Sequence, residues 1–330
     1  MPAILVAGGA GYIGSHTVKA LVRAGRRVVV YDNLSSGHQQ AVTGAAFVEG
    51  DISDVAALRR TMRQHEVDAV MQFAAFLIVS DSVGDPIGYY RNNVRGTLSV
   101  LEAMALESVG RLVFSSTCAV YGEPIEVPIT ESHPTNPINP YGETKLAIER
   151  ALPHFERAYG LKAIRLRYFN AAGADPEGEL GEEHDPEIHL IPRAIDAARG
   201  GAELLVFGDD YGTPDGTCLR DYIHVTDLAD AHVRALDRLE GGGSSTVYNL
   251  GYGRPYSVEQ VVDAVSDVVG RPVPCRLAPR RPGDPAVLYA ANGRARQELG
   301  WEPRYDDLRT IVEHAWRWRE THPNGYPPDR

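Results

Sequence analysis

Three of the four glycines in the first fifteen residues constrain this chain more than any other feature. Gly8, Gly11 and Gly14 follow the apolar run Ala3–Ala7 and open a helical pattern over Tyr12–Ala24, with apolar positions at Ile13, Val18, Leu21 and Val22. Glycines at this spacing allow a tight strand-to-helix turn, close approach of backbone to a pyrophosphate, and close packing of helix on strand. The first turn of the helix then offers free N–H groups and the positive end of the helix dipole to phosphate oxygens. Such a pattern alone also fits an ordinary strand-to-helix turn. Its context favours dinucleotide binding, because Arg27–Tyr31 reads as a second strand and Asp32 ends it, 18 residues after Gly14. A carboxylate there accepts from both ribose hydroxyls and repels a 2′-phosphate, so NAD is expected over NADP. Asp51 and Ile52 follow the next strand; they either hold the adenine ring or, for Asp51, cap the following helix.

The rest of the first half repeats the alternation. Phe47–Glu49, Ala69–Phe73, Leu112–Ser115 and Leu161–Phe169 read as strands, and about Tyr89–Glu107 and Tyr141–Tyr159 as two long helices. Alternating β and α elements predict a doubly wound parallel sheet, an α/β fold of Rossmann type. Texture changes after Asn170. Residues 171–186 are rich in Gly, Pro and acidic side chains, and shorter elements follow. The expected division is a NAD-binding domain over 1–175, to which residues 219–240 return, and a smaller α/β substrate domain over 176–330. The tail, Pro323–Arg330, is expected to be loosely ordered.

Composition removes several classes of function. The chain has 330 residues, with 33 Lys and Arg against 44 Asp and Glu, for a net charge of −11. That balance argues against a nucleic-acid partner. No run of about 18 apolar residues exists to span a membrane, and no signal peptide is visible. Three widely spaced cysteines, Cys118, Cys218 and Cys275, make neither a disulfide framework nor a zinc site. A reducing, cytoplasmic setting is expected, and no metal ligands are assigned.

A catalytic pair stands out in the middle of the chain. Tyr141 and Lys145 are four apart and share one helix face. Phenol is a weak base at neutral pH, but a nearby ammonium and the positive ring of bound NAD⁺ both favour the phenolate. Thr117 closes a predicted strand, and in doubly wound sheets the C-terminal strand ends face the ligand crevice.

Together these residues resemble the extended short-chain dehydrogenase/reductases and, within them, the UDP-glucose 4-epimerase family. The likeness covers nearly the whole chain: GGAGYIGSH at 8–16, YDNLSSGH at 31–38, EGDI at 49–52, NNVRGT at 92–97, SSTCAVYG at 115–122, PYGETK at 140–145, RYFNAAGA at 167–174, HLIP at 189–192, YNLG at 248–251 and RRPGD at 280–284. The most specific stretch is FGDDYGTPDGTCLRDYIHVTDLADAH at 207–232.

The resemblance implies that Tyr141 takes the proton of the sugar 4-hydroxyl, that Lys145 binds the nicotinamide ribose, and that Thr117 assists. It implies NAD contacts from Gly8, Gly11, Tyr12, Ile13, Gly14, Asp32, Asn33, Asp51, Ile52, Phe73, Ala74, Asn93 and Tyr168. For the UDP-sugar it implies Asn170, His189, Leu190, Phe207, Arg220, Tyr222, Arg281, Asp284 and, as a gate beside the sugar 2-substituent, Leu288. Arg220 beside Asp221 also fits a plain surface ion pair. Leu77 stands where the family commonly carries a Lys that contacts the cofactor. Dehydratases of the superfamily need an acid and a base after the Thr; Cys118 and Ala119 supply neither. UDP-xylose or UDP-glucuronate 4-epimerases, and a non-catalytic NAD-binding protein, remain as alternatives. By analogy the two long helices form a homodimer interface.

Overall fold

The computed structural model describes residues 2–281 and 284–327. Pro282, Gly283 and the end of the tail, which belong to motifs singled out above, lie outside the described residues. Seven strands build the main sheet: β1 (Ala3–Ala7), β2 (Arg27–Asp32), β3 (Ala46–Glu49), β4 (Val67–Gln72), β5 (Arg111–Thr117), β6 (Lys162–Tyr168) and, later in the chain, β11 (Thr246–Leu250). Their order is β11-β6-β5-β4-β1-β2-β3, and every pairing is parallel.

Alternation along the strands explains why both faces are covered. In β1, Ile4 and Val6 face one layer and Ala3, Leu5 and Ala7 the other, and all five are buried. The first layer holds α1 (Tyr12–Arg23) and α8 (Val225–Glu240), through Val18, Leu21, Leu228, Ala231 and Leu236. The second holds α2 (Val55–His65), α5 (Thr97–Leu106) and α6 (Pro140–Tyr159), through Leu58, Met62, Leu101, Ile148 and Leu152. Strand order reverses between β1 and β4, which opens a crevice at the C-terminal ends of the strands.

The long helix expected at Tyr89–Glu107 is interrupted. Between α3 (Val79–Gly84) with α4 (Pro86–Tyr89) and α5 lies a π-helical turn, Tyr90–Gly96. The segment that comes back to the main sheet also runs past residue 240, because β11 fills its edge beside β6. Pairing so far apart in sequence leaves no local pattern to read.

Smaller elements gather beyond the crevice. β7 (Asn170–Ala172) pairs with β10 (Tyr222–His224), β8 (Leu204–Phe207) with β13 (Cys275–Ala278), and β9 (Leu219–Arg220) with both β12 (Tyr256–Ser257) and β14 (Val287–Leu288). α7 (Leu190–Ala198), α9 (Val258–Val269) and α11 (Leu308–Thr321) pack a separate core around Ile195, Val261, Val265 and Ile311, while α10 (Gly293–Leu299) joins the first layer.

Candidate active site

The crevice begins with the glycines. A Cβ on Gly14 would lie 2.1 Å from the Gly8 carbonyl oxygen, and one on Gly8 would lie 2.4 Å from Ala74 N, across the gap between β1 and β4. Gly8 also has φ +79, which favours glycine. Gly11 is different: a Cβ there meets only the Gly8 carbonyl oxygen, at 3.5 Å. The loop is therefore tight beneath and open above. Asp32 ends β2 just across from it, 8% exposed, with its oxygens accepting from Ala10 N and Leu34 N, both at 2.9 Å. Burial pushes its carboxyl above the usual range, although three backbone N–H bonds oppose the shift. Each oxygen keeps further lone pairs for a ribose hydroxyl. Bare backbone at a helix start and a carboxylate at the end of the next strand fit a dinucleotide.

The proton-handling groups stand further along the same cleft. Asn139 caps α6 by accepting from Gly142 N at 2.9 Å, and Pro140 occupies the first turn, where its missing N–H costs nothing. A Cβ on Gly142 would come 2.6 Å from the Ala119 carbonyl oxygen, so the helix start presses against the turn that follows β5. That contact brings Tyr141 and Thr117 into the same stretch of cleft wall. Thr117 Oγ1 also accepts from Ala119 N at 3.2 Å. One turn on, Lys145 Nζ donates to the Ser115 carbonyl oxygen at 2.9 Å. A further turn on, Glu149 pins α6 to the sheet, accepting from Ser116 Oγ at 2.5 Å and Arg167 Nε at 2.9 Å.

Burial dominates the electrostatics of the pair. Burial drives the Tyr141 phenol well above its ordinary value, and the Thr117 hydroxyl opposes without winning. Lys145 is drawn down to about 8, again by burial. The ammonium, committed to Ser115, does not by itself make the phenolate, because desolvation penalises both charges.

Most of the expected residues meet in this one cleft. Gly8, Gly11, Tyr12, Ile13, Gly14, Asp32, Asn33, Ile52, Phe73, Ala74, Thr117, Tyr141, Lys145, Tyr168, Asn170, His189, Asp284 and Leu288 line it, and so does Leu77. Leu288 lines the wall and Tyr289 does not.

Others stand elsewhere. Asn93, in the π-helical turn, spends its amide on Phe76, accepting from its N at 2.8 Å and donating to its O at 3.0 Å; it shapes the loop after β4 from behind. Asp51 is not the helix cap, which is Asp54. It accepts from Asn33 Nδ2 at 2.9 Å and Ser53 N at 2.8 Å, outside the lining. Tyr222 and Leu190 belong to the second core. Arg220 pairs with Asp284 rather than with Asp221, and Arg281 lies over the Phe207 ring at 3.9 Å, so these four gather near the Asp284 end of the cleft. Asp221 is fully buried and accepts from Tyr252 N at 2.8 Å and Gly253 N at 2.9 Å.

Sequence reasoning missed Glu182 and His184, which line the cleft opposite expectation. Their segment was read as an irregular loop, and the repeated Glu and His spacing was its only signal.

A doubly wound sheet with a bare glycine loop at its switch point and a Tyr–Lys pair on the neighbouring helix defines a dinucleotide-dependent enzyme of the short-chain dehydrogenase/reductase type. Comparison narrows this class: residues 4–251 match the model of the NAD dependent epimerase/dehydratase family, and the chain belongs to that family. It is 53% identical to the UDP-glucose 4-epimerase of Halalkalibacterium halodurans over 325 residues, 98% of this chain and 97% of the relative. The crystal structure of UDP-glucose 4-epimerase from Brucella ovis in complex with NAD superposes with a TM-score of 0.94 at 53% identity, covering 96% of this chain and 98% of that one. The enzyme from Bifidobacterium longum in complex with NAD⁺ and UDP gives 0.93 at 39% identity, covering 98% and 100%.

Proposed function

We infer that this protein is an NAD-dependent UDP-glucose 4-epimerase, an isomerase that interconverts UDP-glucose and UDP-galactose. Likeness over the full length to enzymes of that name supports the reading. The single observation in this chain that carries the chemistry is that Tyr141, Thr117 and Lys145 line the same cleft as the glycine loop.

NAD⁺, when bound, supplies a positive ring and an acceptor that takes a hydride and gives it back. Gly8, Gly11, Gly14 and Asp32 would hold its pyrophosphate and ribose, with Ile52 and Phe73 along its sides. Tyr141 takes the proton from the sugar 4-hydroxyl and later returns it. Thr117 donates a hydrogen bond to the phenolate, and Lys145 adds positive charge one helical turn away. Arg220, Arg281 and Asp284 anchor the UDP end, so that the 4-keto sugar can turn over without leaving. A uniform grip on the sugar would oppose that rotation, so binding energy belongs at the nucleotide. Coupled conversion of UDP-galactose to UDP-glucose without added reductant tests the reading, and Tyr141→Phe should abolish it.

We further propose a homodimer in the cytoplasm, serving galactose metabolism. Ile87, Tyr90, Leu98 and Leu106 are exposed along the helix that includes the π turn, and Tyr159 is exposed at the end of α6. Such apolar faces suit a helix-to-helix interface between copies. Light scattering on the purified protein tests it. Among the described residues no helix is long and apolar enough to cross a membrane, and all three cysteines are free.

A further inference from the structure

Residues 182–189 carry Glu182, His184, Glu187 and His189, and three of the four line the cleft beside Tyr12. One donor atom from each falls within 4.8 Å of all the others. Glu182 Oε1 stands 2.8 Å from His189 Nδ1 and 3.4 Å from His184 Nδ1. Glu187 Oε1 stands 3.0 Å from His189 Nδ1, and its Oε2 3.5 Å from His184 Nδ1. Ligand bonds of about 2.0–2.1 Å opened to the tetrahedral angle place donor atoms roughly 3.3 Å apart. The observed separations straddle that edge length.

Hydrogen bonding gives a second, independent sign. Glu182 Oε1 and His184 Nδ1 are buried and lie 3.4 Å apart, yet neither makes a hydrogen bond of good geometry; Glu182 Oε1 meets His189 Nδ1 at 2.8 Å as an ion pair only. Glu182 is 8% exposed. Within the cluster His189 Nδ1 is hydrogen-bonded to Glu187 Oε1 at 3.0 Å, while Glu182 Oε1 and His184 Nδ1 approach each other without such a bond and face the same space. Glu187 is held in place by separate bonds, its Oε1 accepting from Ile188 N at 2.7 Å and His189 N at 2.8 Å, which orients the carboxylate as outer contacts orient metal ligands. The other such group among the described residues, Asp175, Glu177 and Glu179, lacks this character, because Lys19 Nζ already neutralises it at 2.7, 3.3 and 2.8 Å.

We propose that Glu182, His184, Glu187 and His189 form a site for one divalent transition-metal ion of the zinc class. Two imidazole nitrogens disfavour Mg²⁺ and Ca²⁺, which take oxygen ligands. Two carboxylates match the charge of the ion, and neutral Nδ1 atoms complete four-coordination. Since all four ligands come from one short stretch, the ion closes that stretch on itself. It stiffens the cleft wall next to Tyr12, without touching the reacting atoms of the sugar.

The test uses the full-length protein, treated with chelator, dialysed, and titrated with Zn²⁺ in a calorimeter. The expected result is one tight equivalent per chain and a raised midpoint of thermal unfolding. X-ray absorption at the zinc edge of that complex should show nitrogen and oxygen ligands with the outer-shell pattern of two imidazoles. His184→Asn combined with Glu187→Gln should lower the affinity by at least about 100-fold, since outer and inner ligand changes cost 10–100-fold or more. Absence of saturable Zn²⁺ binding in the wild type would overturn the proposal and leave the four residues as an ion-paired cluster. So would a zinc shell containing sulfur, or undiminished binding by the double variant. The wild-type measurements decide the matter even if the double variant does not fold.

Discussion

Arg220 is bonded to Asp284, 64 residues away, and not to its sequence neighbour Asp221. The side chain of Asp221 is turned inward onto backbone N–H groups of Tyr252, Gly253 and Ala290. Arg220 is thereby fixed at the end of the cleft where Asp284 lines it, close to Arg281 on the Phe207 ring. A guanidinium held this way suits diphosphate oxygens. Arg220→Met should raise the KM for UDP-galactose by about 10–150-fold, the worth of a charge-assisted bond. Steady-state kinetics check it; an unchanged KM would make the pair purely structural.

Lys145 gives a pH signature. Its pKa is about 8 in the folded protein against 10.5 for a free lysine. Between those values the unfolded chain binds a proton that the folded chain has released, so stability rises with pH across the window. The penalty present below pH 8 amounts to about 3 kcal/mol. Denaturant unfolding of cofactor-free wild type and Lys145→Met at pH 7 and pH 10 should show the difference between them shifting toward the wild type by about that amount. A constant difference would show that Lys145 titrates normally.

Asp32 should select the cofactor. Its carboxylate is fixed by Ala10 N and Leu34 N at the cleft wall, and a 2′-phosphate there would meet like charge. Titration of cofactor-free protein should show NAD bound about 10–150-fold more tightly than NADP, corresponding to roughly 1.5–3 kcal/mol. Comparable affinities would show that Asp32 does not meet the ribose.

Leu288 pairs in register with Arg220 and presents its side chain to the cleft. Leucine is shorter than tyrosine and apolar, leaving room for an acetamido group. The wild type should therefore accept UDP-N-acetylglucosamine as well as UDP-glucose. Leu288→Tyr should lower the ratio of the first activity to the second by about 10-fold or more, within the range that pocket shape can supply. An unchanged ratio removes Leu288 from specificity.

The parts of this molecule that were readable in advance are those where function depends on local spacing. Gly8, Gly11 and Gly14 are each placed by contacts within one turn or across one strand gap, and Tyr141 and Lys145 by a single helix. The resemblance makes Asn93 a cofactor contact; in the structure its amide holds Phe76, and the π turn that orients it depends on packing and leaves no periodic trace. The partner of Arg220 and the edge position of β11 depend on residues distant in sequence. Glu182 and His184 lie in a stretch without periodicity, so only folding brings them to the cleft.

In the proposed reaction the chain's own Tyr141 takes and returns a proton while the sugar's C4 hydrogen leaves and comes back as hydride within one closed cleft. UDP-galactose deuterated at C4, incubated with NAD-loaded enzyme in ordinary water, tests this most directly. Mass spectrometry and proton NMR should show UDP-glucose carrying the deuterium at C4, and no product from Tyr141→Phe above about 10⁻² to 10⁻⁴ of the wild-type rate. Loss of the label to solvent, or normal turnover by the tyrosine variant, would contradict it.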